Sequence, residues 1–249
     1  MMEDALTRET AEQLIEAATA APSIHNSQPW QFVARPADRV IEVYADPART
    51  LLRGDPRGRA VHIACGSALF NLRLAIARAG SEPVARLLPS PRDPLLLASV
   101  RLAGPYRPRP AECDLYAAIH QPIGRAPRTG RPPPDVLLAL KEAAALEGAS
   151  LRESGPWLAV VSTSADDRAS WLRAGQAAQH VLLLAAHHGV RAALLSPAPE
   201  PPGATAYAET VLGGEHPAVI LQFGSGHRRP ATAHRPVAEV LRVLSPVGV

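Results

Sequence analysis

Between residues 21 and 32 the chain reads Ala-Pro-Ser-Ile-His-Asn-Ser-Gln-Pro-Trp-Gln-Phe. Ser23, His25, Asn26, Ser27 and Gln28 put hydroxyl, imidazole and carboxamide groups within six positions. Each of these groups offers both donors and acceptors. Fixed together they would suit the polar edge of a planar heterocycle, with Trp30 as an apolar neighbour. Asn, Ser and Pro also make turns, so an ordinary helix-to-strand connection is the competing reading. His25 could touch a ligand, or it could only cap the turn. Other chemistry is thin. There is no Gly-x-Ser-x-Gly, no Walker loop and no paired-carboxylate signature. His62 with Cys65, and His187 with His188, lack zinc partners at ligand spacing, so no metal site is expected.

The elements that would position this cluster follow from periodicity. Apolar stripes at three- and four-residue spacing predict helices near 7–20, 58–79, 133–147, 168–188 and 236–243. Strand-like runs fall near 30–35, 39–45, 95–102, 157–163, 190–195 and 217–223. Pro and Gly clusters at 104–110, 122–134 and 197–203 read as connections. The polar cluster therefore lies between a helix end and a strand start. The alternating mixture predicts a layered fold, α/β or α+β.

Composition narrows the partners. The 249 residues are 47% hydrophobic, enough to bury a core, and the net charge is +3. Lys141 is the only lysine, and the arginines are scattered. With 4% aromatic residues there is no stacking platform, so no nucleic acid is expected. The run 181–186 is too short to span a bilayer, and no membrane is expected. Two distant cysteines, Cys65 and Cys113, fit a reducing cytoplasm.

The chain also repeats itself weakly. Gly66 to Gly80 and Gly175 to Gly189 are both long, rich in Ala and Leu, opened by small residues and closed by glycine. An Asp-containing loop precedes each, Asp46-Pro-Ala-Arg and Asp166-Asp-Arg-Ala. Two buried helices could look alike by composition alone. If the repeat is real, one domain over 1–249 holds two half-domains, about 1–105 and 106–249.

The segment Ala-Pro-Ser-x-x-Asn-x-Gln-Pro-Trp resembles the first flavin-contacting segment of the FMN-dependent nitroreductase family. With histidine before the asparagine it resembles the Acg-type branch most. That resemblance implies an α+β, nitroreductase-like fold, a mixed β-sheet with long buried central helices. It also implies a single chain that imitates the family's homodimer, either a monomeric pseudo-dimer or paired again as a homodimer. The implied cofactor is FMN, with NAD(P)H as a possible co-substrate and a small molecule as substrate. The implied cofactor contacts are Ser23, Asn26 and Gln28 in the first half. From the second half come Arg125, in Ile119-His-Gln-Pro-Ile-Gly-Arg-Ala-Pro, Ser196, in Leu194-Leu-Ser-Pro-Ala-Pro, and Arg235, in His234-Arg-Pro. His25 is the implied substrate contact. No catalytic side chain is expected, because the flavin carries the chemistry.

The same resemblance implies one site, not two. Residues 147–157 stand where a second flavin segment would lie, and they contain no Asn or Gln. The branch has a much longer stretch there. The resulting expectation is an FMN-binding oxidoreductase. Two alternatives stay open: a flavin-holding protein with little turnover, and a scaffold without cofactor.

Overall fold

The computed structural model describes residues 6–50, 55–120, 131–155, 158–197, 214–224 and 233–244. Helix α1 (Arg8–Thr19) leads into strands β1 (Trp30–Arg35) and β2 (Val40–Ala45). Helix α2 (Arg59–Arg78) follows, then β3 (Ser81–Leu87) and β4 (Leu96–Pro105). After α3 (Pro110–His120) the same series recurs: α4 (Pro134–Leu146), β5 (Ser150–Glu153), β6 (Leu158–Thr163), α5 (Arg168–His187), β7 (Ala192–Pro197) and β8 (His216–Phe223). The chain returns through α6 (Val237–Val240) to β9 (Leu241–Val243).

The described residues form two sheets, ordered β3-β4-β2-β1-β9 and β5-β6-β8-β7. Read from its β7 edge, the second repeats the first four strands of the other. All pairs are antiparallel except β1 with β9, which makes the first sheet mixed. Alternation explains the core face: Ile41 and Val43 are fully buried in β2, whereas Glu42 and Tyr44 are only partly covered.

The central helices α2 and α5 pack against each other between the sheets. They run parallel, since His62 meets Arg168, Ser67 meets Gly175 and Asn71 meets Gln179. Glycine is needed at the crossing. A Cβ on Gly66 would strike the Leu172 carbonyl, and one on Gly175 would strike the Ile63 carbonyl. Close approach lets the Ser67 hydroxyl donate to the Gly175 carbonyl at 3.0 Å, and Gln179 Nε2 donate to Asn71 Oδ1 at 2.8 Å. Helix α2 is buried on nearly every side, as expected of a core helix. It is long and apolar enough to cross a membrane, with mean hydropathy 1.5, but 89% of that window is buried inside the protein.

Parallel helices bring two positive dipole ends together, and carboxylates answer them. Asp55 Oδ2 accepts the Val61 N–H at 3.1 Å, and Asp167 Oδ1 accepts the Ser170 N–H at 2.7 Å. Between these ends His62 is buried, with Nδ1 2.6 Å from the Gly58 carbonyl. Its Nε2 accepts from Arg168 Nε at 2.8 Å. Burial, and then the Arg168 charge, push the imidazole below its ordinary range, against an opposing pull from the Gly58 carbonyl.

Some expectations are corrected. The helix expected over 236–243 is one helical turn followed by strand β9, because Leu241–Val243 pair with Phe32–Ala34. Strand β5 (Ser150–Glu153) was not foreseen; it lies inside 147–157 and pairs antiparallel with β6. Strand β3 was not foreseen; it is an edge strand carrying Pro83 and lacks alternation. Helix α3 follows a proline cluster that reads as loop.

Candidate functional site

Helix α1 ends at Thr19, and Pro22 prevents its continuation. Ser23 then opens a single 3-10 turn, Ile24–Asn26. His25, Asn26 and Gln28 all have positive φ, at 52°, 54° and 47°. Asn and His tolerate that region better than most residues. Three such residues within four positions still cost of order 1–3 kcal/mol each. The turn is therefore over-determined by its bonds.

Those bonds are specific. Ser23 Oγ accepts the Gln28 N–H at 3.0 Å. Gln28 is buried, and its Nε2 donates to Asn26 Oδ1 at 3.1 Å and to the Ala233 carbonyl at 3.0 Å. Its Oε1 accepts the Arg235 N–H at 2.7 Å. The Gln28 amide thus pairs with the backbone of 233–235 as a strand would. Asn26 Nδ2 also donates to the Ala233 carbonyl, at 3.1 Å.

The Arg235 guanidinium turns inward. Its Nη1 lies 3.1 Å from Asp46 Oδ2, with both side chains 10% exposed. It also donates to the Gln28 and Trp30 carbonyls at 3.2 and 3.3 Å. Asp46 is shared further: Oδ2 accepts Gln31 Nε2 at 3.1 Å, and Oδ1 accepts the Ala48 N–H at 3.1 Å. Beneath the turn, Cys65 Sγ donates to the Pro29 carbonyl at 3.4 Å, and burial pushes its thiol far up. Trp30, expected beside a ligand ring, is fully buried in the first sheet's core instead.

Strand β7 comes from the other half and packs against the Ile24–Asn26 turn. It is an edge strand, and its register with β8 shifts between Leu194 and Ser196. A bulge of this kind re-aims backbone groups beside a site. Leu195 at the bulge is 49% exposed. Next to the turn, Glu16, Thr19, His120 and His234–Val237 line a cleft of about 300 Å³.

Of the expected site residues, Ser23, His25, Asn26 and Gln28 share one turn, Arg235 is brought to it from the C-terminal segment, and Ser196 lies in β7. Arg125 lies outside the described residues. His25 is exposed beside the mouth of the turn. Two participants were missed. Asp46 N-caps the one-turn helix Pro47–Arg49, and Arg49 reaches back from it to the Ser27 carbonyl at 3.3 Å. The signal for both was Asp46-Pro-Ala-Arg, an N-cap followed by proline. Among the described residues, no group of three His, Cys, Asp or Glu is placed to hold a metal ion.

The model of the Nitroreductase family matches residues 2–225. The chain belongs to the nitroreductase family. It is similar to the Mycobacterium tuberculosis protein named "Putative NAD(P)H nitroreductase acg", 36% identical over 100 residues. It is also similar to that organism's "Putative NAD(P)H nitroreductase Rv3131", 35% identical over 111 residues. These matches cover 40% and 45% of this chain and only 30% and 31% of the relatives. A nitroreductase-family chain thus has its two sheets, its crossed central helices and its strained turn in one polypeptide.

Proposed function

We propose that this protein is an FMN-binding oxidoreductase with one flavin site per chain. On this reading, reducing equivalents pass from a nicotinamide or organic donor to a small organic acceptor. The observation that carries the proposal is the turn at Ser23–Gln28: a strained backbone, held by named bonds, that keeps polar atoms in reserve. Asn26 retains one amide hydrogen and one lone pair after its bonds to Ala233 and Gln28. Ser23 retains its hydroxyl hydrogen after accepting from Gln28. His25 is exposed beside them. That donor and acceptor set fits the nitrogen- and oxygen-bearing edge of a flavin ring, and the family is typically FMN-binding. When bound, the flavin supplies hydride and electron transfer, and the chain supplies orientation and electrostatics.

In this account Ser23 and Asn26 fix the ring edge, with Ser196 and its strand opposite. Gln28 holds the turn in shape. His25 stands where it can donate a hydrogen bond to a substrate. Leu195 adds apolar surface at the mouth. The halves divide near residue 105, and the site needs both: the turn from the first and β7 with the C-terminal segment from the second.

A second reading, flavin held with little turnover, is favoured by one observation. The amides of Asn26 and Gln28 already donate to the Ala233 carbonyl. The C-terminal segment thus occupies part of the polar array. The test is direct. Purified protein saturated with FMN is mixed anaerobically with NADH or NADPH. Bleaching of the flavin absorbance, restored by a quinone or nitro compound, supports the oxidoreductase. A stable yellow spectrum under both reductants supports the holding protein. A protein that takes up no FMN refutes both.

A further inference from the structure

Two arginines lie within reach of the Ser23–Gln28 turn, and one carboxylate decides what each can do. Resting on the flavin reading, we propose that Asp46 positions both: it commits Arg235 inside the fold as a clasp, and it presents Arg49 as the cation that meets the anionic phosphate end of the flavin.

The clasp follows from the bonding of Arg235. Its Nη1 is shared among Asp46 Oδ2 and the Gln28 and Trp30 carbonyls. Its Nη2 points to the Glu239 carbonyl, and Nε lies 3.6 Å from Glu239 Oε2. A guanidinium has five donor hydrogens in a rigid fork. Here Nη1 is held on the interior by Asp46 and two carbonyls, and the side chain is only 10% exposed, so Arg235 is committed chiefly to the fold. Removing one member of a buried pair leaves the other charge uncompensated. Arg235 therefore acts on the site indirectly. It docks the C-terminal segment, whose Ala233 carbonyl and Arg235 N–H engage Asn26 and Gln28. Further along, β9 adds to the first sheet, and the Leu244 N–H reaches the Ala34 carbonyl at 2.9 Å.

Arg49 is the opposite case. It is exposed, on the one-turn helix that Asp46 caps through the Ala48 N–H, with Thr50 Oγ1 returning to the Asp46 carbonyl at 3.4 Å. Among the described residues its bond is from Nη1 to the Ser27 carbonyl. Among the described residues no carboxylate pairs with it. Four donor hydrogens are left on a charged fork at the rim of the turn, the arrangement that recognises phosphate by two parallel bonds.

The two roles separate in a ligand comparison. FMN and riboflavin differ only in the phosphate, so each variant is titrated with both. Arg49→Ala should lose roughly 10- to 100-fold in FMN affinity, the worth of a charge-assisted bond, and change riboflavin little. Arg235→Gln and Asp46→Asn should weaken both flavins by a common factor. In the same two variants, hydrogen exchange at Leu244 should quicken while the β6 amides stay protected, which excludes general unfolding. An FMN-selective loss in Arg235→Gln, or a non-selective or absent effect in Arg49→Ala, would overturn the assignment. Unchanged exchange at Leu244 in Asp46→Asn would overturn the clasp. If the wild type binds neither flavin, the cofactor reading and the role of Arg49 both fall, and the exchange data still decide the clasp.

Discussion

Between α1 and β1 the chain takes ten residues, 20–29; between α4 and β5, at the matching point of the second half, it takes three, 147–149. The longer link carries the strained turn. The shorter one is a helix stop. Gly148 has φ 76°, the Ala149 N–H returns to the Ala144 carbonyl and the Gly148 N–H to the Ala145 carbonyl. That pair of bonds closes the helix and leaves no side chain to offer a ligand. Glu147, at the cap, is taken by Arg73 Nη1 at 2.5 Å, and His180 Nδ1 lies 3.6 Å away. Burial alone would raise its carboxyl, but His180 and Arg73 together hold it below the ordinary carboxylate range. The same order of elements therefore ends in a polar array on one side and in a closed ion pair on the other. Symmetry lies in the scaffold and asymmetry in the connections, as expected when loops carry function.

The largest effect should come where the halves are alike. Gly66→Ala and Gly175→Ala each drive a methyl group into a backbone carbonyl of the facing helix. Each should cost roughly 3 kcal/mol or more, at the upper end for overpacking, read by denaturant unfolding. If either glycine tolerates alanine, the equivalence of the central helices is broken. Next comes the site that only one half has. Asn26→Ala should weaken FMN binding by about 1–3 kcal/mol, because partners around it lose a bond. Unchanged affinity in a folded variant would remove the turn's claim to be the site.

A smaller effect concerns the seam between the halves. His62 accepts from Arg168 only when neutral, and protonation would set two cations face to face. Burial chiefly sets its titration, and the groups facing it are the Gly58 carbonyl, Arg168 and Asp55. Its folded pKa lies below the ordinary 6.5, so the unfolded chain binds the extra proton first. Stability should then fall as pH drops through about 6.5 toward the lower folded value, with a slope of at most about 1.4 kcal/mol per pH unit. His62→Gln should flatten that slope in a urea series between pH 7 and pH 5. The smallest effect is expected at the closed link. Glu147→Gln should cost about 1 kcal/mol, since Arg73 is 31% exposed and partly screened. It should leave FMN affinity unchanged. A lost flavin in that variant would mean that the second half's link does more than stop a helix.

Much of this was legible in the sequence. The two glycine-bounded helices, six of the nine strands among the described residues and the polar turn follow from periodicity and residue type. What escaped depends on pairing across the chain. Strand β9 looks helical, because Val237, Val240, Leu241 and Val243 fit a stripe, until β1 pairs with it. Arg235 looks like a free cation until Asp46, 189 positions away, is seen beside it. Arg49 was hidden for the converse reason: in a chain whose arginines are scattered, nothing local marks it as lacking a carboxylate partner among the described residues.

The account's central claim is that one chain holds one functional link and one closed link. Flavin released by heat from FMN-saturated protein, measured against protein concentration, tests it most directly. One equivalent per chain is expected. Two equivalents would mean that the 147–149 side also binds, and none would mean that the Ser23–Gln28 turn is only a turn.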